Sequence, residues 1–345
     1  MLTSLSSVAQ PVTLRPDNID EVLSQLTLKE KASLVVGAGY KSMLAGTFGF
    51  KVPVPGAAGM TRAVPRMGIP SIILSDGPAG VRIEPKRKRT NQTFYCTGFP
   101  IGSLLSSTWN PQLVEKVGGA IGEEALAYGV DVMLAPGMNL QRNPLCGRNF
   151  EYFSEDPLLT GCMAAGVVRG LQRTGVSACV KHFACNNQEV NRTHNDSRVS
   201  ERALRELYLK GFEICVKTAA PQNLMTSYNL INGVWGHYHY ELCTRILRGE
   251  WGYRGNIMTD WWMRSSASPE FPALRDQAYR VRAGVNVLMP GGGRMGRRRP
   301  DGTLLQTRGM PDGITRGELE QNAAQVLRFA MQSSAFKKQQ KEAAE

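Results

Sequence analysis

The sequence predicts an α/β fold wound as a closed barrel, and three observations predict it. Short apolar runs of β type alternate with amphipathic stretches of helical period along most of the 345 residues. The β-type runs are apolar on nearly every residue, the pattern of parallel strands covered on both faces by helices. The alternative, a doubly wound sheet, would want G-x-G-x-x-G after the first strand. The nearest stretch, GGAIG at 118–122, falls inside a predicted helix and lacks that spacing.

In chain order, Thr27 and Glu30 stand at capping-box spacing and mark a first helix start. SIIL (71–74) is the first β-type run, followed by a helical stretch over 111–128. VDVMLAP (130–136) and VSACVKHF (176–183) flank a second helix over 157–173. NLMTSYN (223–229) follows a helix over 200–218, and NIMTD (256–260) follows one over 240–250. A helix over 271–283 leads to VNVLMPG (285–291), and Thr315 with Glu318 repeats the capping-box spacing. The length would permit two domains, but α/β barrels run this long as one, so a single large domain is expected.

Composition removes several classes of function. Apolar content of 42% and charge of 20% are those of a globular protein, and no apolar run is long enough to cross a bilayer. The start, MLTSLSSVAQPVTL, lacks the n- and h-regions of a secretory signal. The chain is therefore expected either to stay in the cell or to have lost its signal before this numbering begins. Seven cysteines lie scattered without C-x-x-C pairs, which argues for free thiols over disulfides or zinc. The net charge of +12 raises nucleic acid, with basic clusters at Lys86–Arg89 and Arg294–Arg299. Both sit beside Pro or Gly in predicted loops without interleaved aromatics, so solvated loops are the better reading. His237 and His239, with Glu241 near, form a weak metal pattern without a clear third ligand.

Polar residues gather at the carboxyl ends of the predicted strands. Asp76 follows SIILS, Lys181 and His182 close VSACV, Tyr228 closes NLMTS, and Asp260 closes NIMT. In a parallel barrel these ends share one face, where active sites are built. Taken singly, a strand-end Asp more often caps a helix, and Trp261 and Trp262 more often belong to the core. Four strands delivering reactive groups to one face is a far less ordinary outcome. Carboxylates, cations and indoles together suit a sugar, with its hydroxyl edges and apolar C–H faces, and a carboxylate is the usual nucleophile at an anomeric carbon.

The stretches SDGPAGVR (75–82), FPIGSLLSSTWNP (99–111), LAPGMNLQRNPLCGRNFEYFSEDPLLTG (134–161), KHFACNNQEVNR (181–192), MTSYNLING (225–233) and GYRGNIMTDWW (252–262) together resemble the barrel domain of glycoside hydrolase family 3, β-glucosidase branch. The resemblance runs from about Leu26 to Gly292. It implies a TIM-type (β/α)8 barrel over 1–311, incomplete or collapsed in some members, then over 312–345 a C-terminal helix and the start of an interdomain linker, with the second α/β domain absent. It implies retaining hydrolysis of terminal non-reducing β-D-glucosyl residues through a covalent glycosyl-Asp intermediate. Neither a metal nor an organic cofactor is implied, and the implied partners are β-linked glucosides or oligosaccharides, not nucleic acid or membrane.

Carried onto this sequence, the resemblance makes Asp260 the nucleophile, while Asp76, Arg148, Lys181 and His182 ring the first sugar subsite. Tyr228 would lie beside the nucleophile, Trp261 would pack on the sugar or the entrance, and Met225 would line the wall. Glu151 would orient Arg148, and the cations Lys181 and Arg148 are expected to keep Asp260 and Asp76 ionised. One departure matters. In this branch the acid/base comes from a second domain, and the single-domain branch places a His after KHFPGHGD, where this chain reads KHFACNNQE. His194 stands in that neighbourhood without the motif. Two readings stay open: a hydrolase whose acid is supplied by another domain or chain, and a catalytically idle sugar-binding barrel or truncated fragment.

Overall fold

The computed structural model of the chain describes residues 12–39, 52–87, 90–263, 276–291 and 313–345. The basic run Arg294–Arg299, Lys88 and Arg89 of the other basic run, residues 271–275 of the expected 271–283 helix, and the boundary at 311 lie outside the described residues.

Six strands form one sheet: β1 (Gly59–Met60), β2 (Ile73–Asp76), β3 (Val132–Leu134), β4 (Ser177–Phe183), then, past a short β5 (Asp196–Ser197), β6 (Asn223–Thr226), and, past β7 (Leu230–Ile231) and β8 (Val234–Trp235), β9 (Asn256–Met258). The sheet order is β1-β2-β3-β4-β6-β9. Every pair from β2 onward is parallel, and β1 is antiparallel to β2. All seven residues of β4 and all three of β3 and β9 are buried, which is why these runs read as apolar on both faces.

The fold is a TIM-like α/β barrel, incomplete in regular strand. The expected sixth run, 285–291, forms single bridges and no named strand. Val287 bridges Met258, Leu288 bridges Val36, and Gly291 bridges Ala38. The Ala38 amide then donates to the Met60 carbonyl at 2.8 Å, so backbone hydrogen bonds pass all the way round to β1. The gap in the sheet is spanned by irregular backbone because Gly37, Pro290 and Gly291 stand where a strand would need ladder donors and side chains.

Helices cover the outside. Pro111–Ala127 and Pro157–Arg173 start at Asn110 and Asp156, whose side chains accept from the amides of Leu113 and Leu159. The two helices meet backbone to backbone through glycine. A Cβ on Gly170 would fall 2.1 Å from the Glu115 carbonyl oxygen, and one on Gly118 would fall 2.7 Å from that of Val167. GGAIG is thus a helix-packing surface. The expected 200–218 helix is broken: Glu201–Ala203 passes into a π-helical stretch, Leu204–Tyr208, before Lys210–Ala219. Glu241–Glu250 is π-helical throughout.

Both capping boxes form, at Thr27 with Glu30 and at Thr315 with Glu318. The helix Arg316–Gln332 buries Leu319, Ala323, Val326, Leu327 and Ala330 in the same core as the strands. Ser334–Ala344 is tied to the start of β3 by Asp131, whose Oδ1 accepts from Ser334 Oγ at 2.6 Å and from the Ala335 amide at 2.8 Å. The seven cysteines are free thiols, five of them buried. No helix among the described residues is long and apolar enough to cross a membrane.

Gly170→Val should push the two glycine-packed helices apart and lower stability by about 2–3 kcal/mol, because overpacking against backbone outweighs the small gain in helix propensity over glycine. Gly98→Ala, with nothing within 4 Å of the new Cβ, should stay within about 0.5 kcal/mol. Urea unfolding of the two variants makes the comparison, and equal midpoints would refute the close packing.

Candidate active site

Lys181 is the centre of the site. It sits near the end of β4 with 4% of its side chain exposed, and its Nζ donates to Asp76 Oδ1 at 3.1 Å. Glu151 Oε2 lies 3.5 Å from the same nitrogen. A buried ammonium is tolerated only when paired, and here two carboxylates from two other segments supply the charge. Burial alone would pull the Lys181 ammonium down; Asp76 and Glu151 hold it above the ordinary lysine value.

Asp76 reaches this point because β2 ends in a turn only glycine can make. Gly77 has φ +127°, and a Cβ there would lie 1.7 Å from the Gly80 carbonyl oxygen. Burial alone would push Asp76 up, but Lys181, the Gly77 amide and Arg82 together hold its carboxyl below the ordinary range. Arg82 Nη1 stands 3.6 Å from Asp76 Oδ2. The site-facing role of Arg82 escapes sequence reading, because it comes from a turn and obeys no strand or helix period.

His182 follows Lys181 directly, and adjacent residues on a regular strand point to opposite faces. The pairing of β4 with β6 shifts register between Val180 and Phe183, which lets both side chains serve one pocket. Asn139 clamps the His182 backbone on both sides, accepting from its amide at 3.0 Å and donating to its carbonyl at 2.9 Å. Burial, with Arg148, Lys181 and Arg192 near, holds the imidazole well below its ordinary pKa, so it is neutral. Tyr152 Oη lies 3.3 Å from Nδ1 and itself accepts from Asn186 Nδ2 at 3.0 Å. That leaves the tyrosine proton for Nδ1 and assigns the ring proton to Nε2, which faces Asp260 Oδ2 at 3.8 Å.

Asp260 lies two residues beyond β9 with 10% of its side chain exposed. Oδ1 accepts from the Trp261 amide at 2.7 Å, while Oδ2 has no hydrogen-bond partner. Lys181 and Arg148 do favour the charged form of Asp260, as expected, but burial acts against them and is the larger influence. Burial outweighs Arg148, the Trp261 amide, Lys181 and Tyr228, and raises the Asp260 carboxyl to about 6. It is charged at neutral pH and takes up a proton in the mildly acid range.

Arg148 pairs with Glu151 and stands 4.0 Å from Glu189 Oε1. Glu189 in turn holds Arg192 at 2.9 Å, and the Arg192 guanidinium lies 4.3 Å from the centre of the Tyr228 ring. The Tyr228 hydroxyl donates to the Trp261 carbonyl at 2.8 Å, and burial, with the Asp260 carboxylate beside it, raises its pKa. Trp261 is buried, and its Nε1 donates to the Ala58 carbonyl at 2.9 Å; Trp262, with φ 54°, is the exposed one of the pair. Met225 is buried on β6 opposite Met258. The structure thus gathers Asp76, Arg148, Lys181, His182, Tyr228 and Asp260. Arg192, Tyr152, Asn186 and Glu189 complete them, all lying in the quoted motifs without a spacing that assigns them.

The sequence profile of the glycosyl hydrolase family 3 N terminal domain matches residues 60–325, which span the site from Asp76 to Trp262. The chain belongs to glycosyl hydrolase family 3. Among its relatives, a β-glucosidase from Ruminococcus albus is 40% identical over 325 residues, covering 93% of this chain and 32% of that protein. An exo-α-(1->6)-L-arabinopyranosidase from Bifidobacterium longum is 43% identical over 272 residues and is likewise covered to 32%. β-Glucosidase 3B from Thermotoga neapolitana, solved with α-D-glucose, superposes with a TM-score of 0.85 at 45% identity, covering 93% of this chain and 44% of that one. The chain therefore spans about a third of the length of these curated family 3 relatives.

His194 does not join Asp260: its Nδ1 is engaged by Thr193 and Asn191. His237 is fully buried and its Nδ1 accepts from Arg280 Nε at 2.8 Å. Among the described residues, no three His, Cys, Asp or Glu side chains converge as a metal site.

Because the folded Asp260 carboxyl binds its proton more tightly than the unfolded one, stability falls as pH rises toward and through about 6. Asp260→Asn keeps the oxygen that accepts from Trp261 and removes the charge. It should stabilise the chain at pH 7 by on the order of 2–3 kcal/mol, with the gain fading by about pH 4. Unfolding curves at both pH values measure this; a variant no more stable at neutral pH would contradict the assignment.

Proposed function

We propose that this chain is the nucleophile-bearing, sugar-binding part of a retaining β-glycosidase acting on terminal β-D-glucosyl residues. The observation that carries the reading is Asp260: a buried carboxylate whose Oδ2 has no hydrogen-bond partner among the described residues, set in a ring of paired hydrogen-bonding groups. The β-glucosidases among its relatives support the glucosyl assignment. One relative is named for action on a pentose in its pyranose form, and we assign the choice of sugar to the ring around Asp76.

In this mechanism Asp260 Oδ2 attacks the anomeric carbon from the face opposite the leaving oxygen. A C–O bond to Asp260 forms as the glycosidic C–O bond breaks, and water later hydrolyses the glycosyl ester to release the sugar. The neutral His182 and the cations Arg148 and Lys181 stabilise the carboxylate as it is regenerated. Asp76, carrying full charge, accepts hydrogen bonds from hydroxyls distant from the anomeric carbon.

The departing alkoxide needs a proton, and general acid help is worth about a hundred- to ten-thousand-fold. Among the described residues the carboxyls nearest Asp260 are committed: Asp76 to Lys181 and Arg82, Glu151 to Arg148 and Lys181, Glu189 to Arg192 and Asn186. A carboxylate held by a cation is a poor acid. We assign the acid/base to a group outside these residues, supplied by another domain or chain.

A 2-deoxy-2-fluoroglucoside with an activated aryl leaving group needs little acid help and should label the chain once, at Asp260. Peptide mapping by mass spectrometry locates the adduct. A label on any other carboxylate would overturn the assignment of the nucleophile.

A further inference from the structure

A second cavity lies at the end of the barrel away from Asp260. Tyr253 and Asn286, which line it, stand at the N-terminal ends of their segments, whereas Asp260 follows the C-terminal end of β9. It has a volume of about 400 Å3 and lies between the π-helical Glu241–Glu250 and the helix Arg316–Gln332. This is the size range of small-molecule sites.

Its lining is strongly cationic. Arg248, Arg254, Arg282 and Arg328 face it, against one carboxylate, Glu318. Glu318 is already committed to Arg282, accepting at 2.6 and 3.2 Å. Arg248, Arg254 and Arg328 have no carboxylate partner among the described residues. Arg248 is held rigidly nonetheless: Nη2 donates to Asn286 Oδ1 at 2.7 Å and Nη1 to the Gly255 carbonyl at 3.2 Å. Asn286 is fixed in turn by Asn322, whose Oδ1 accepts from Asn286 Nδ2 at 2.7 Å. Burial pulls the Arg248 guanidinium below the ordinary arginine value, and no facing carboxylate offsets it. A preorganised, partly buried guanidinium beside two exposed ones without counter-charge matches a multiply charged oxyanion, whose several acceptor oxygens can take forked donors from each.

We propose that the cavity lined by Arg248, Arg254 and Arg328 is a binding site for a phosphate group, separate from the sugar-binding mouth. The site has enough room for a phosphate ester of a small polyol as well as for the free ion, and the amide side chain of Gln321 on its wall offers a neutral contact to such a body. Nothing in the proposed glycosidase chemistry depends on it, so each can fail without the other.

Calorimetric titration of the 345-residue chain with inorganic phosphate and with glucose 6-phosphate, in a buffer matched with sodium chloride for ionic strength, is the test. Saturable binding of phosphate is expected, and it should weaken at least ~tenfold in Arg254→Gln/Arg328→Gln, because each lost charge-assisted contact is worth about that factor. Neither arginine has a partner whose loss would unfold the chain, and glucose binding at the mouth should be unchanged in the variant, which shows that it is folded. Tighter binding of glucose 6-phosphate than of inorganic phosphate would identify an organic phosphate as the occupant; the reverse would identify the free ion. No saturable binding beyond the sodium chloride control, unchanged affinity in the double variant, or citrate binding as tightly as phosphate would each overturn the proposal.

Discussion

The site depends on one buried ammonium. Lys181 keeps only 4% of its side chain exposed, and Asp76 and Glu151 against it stabilise its charge. Asp76 comes from the end of β2, Lys181 from β4, and Glu151 from the turn after β3, so this one pairing sets the relative positions of three successive segments. Glu151 then orients Arg148, and Arg148 sets the charge around Asp260 and His182. Removing Lys181 would leave two carboxylates facing each other without a cation between them, a far larger disturbance than the loss of one hydrogen bond.

Asp260 is the counterpart of that arrangement. Its neighbours are cations, yet burial wins, and one oxygen stays without a donor. A folded protein rarely leaves a buried carboxylate oxygen unsatisfied, and where it does so in a polar pocket the stability lost is the mark of a reactive group. The neutral His182, kept uncharged by burial and by the cations around it, brings an N–H near Asp260 without neutralising it as an imidazolium would.

Much of this is legible in the sequence because a parallel strand buried on both faces is a mostly apolar run, and its first charged or phenolic residue stands at its carboxyl end. Asp76, Lys181, Tyr228 and Asp260 follow from that rule alone. Three things do not. The register shift in β4 that turns His182 and Lys181 into the same pocket leaves no compositional trace. Arg82 and Arg192 reach the site from loops, where no period assigns a direction. Trp261 and Trp262 are the same residue type side by side, and only the turn after β9 decides that the first is buried on Ala58 and the second is exposed. The closure of the barrel is likewise hidden, because backbone bridges at Val36, Ala38 and Gly291 need no strand-like sequence.

The most direct measurement of this account is the ionisation of Asp260 itself, followed by carbon-13 NMR of the aspartate side-chain carboxyls and assigned by the signal lost in Asp260→Asn. A carboxyl titrating near 6 is the result the buried, half-satisfied site requires. A midpoint at or below the ordinary aspartate value would mean that the cations around it dominate, and the poised nucleophile described here would not exist.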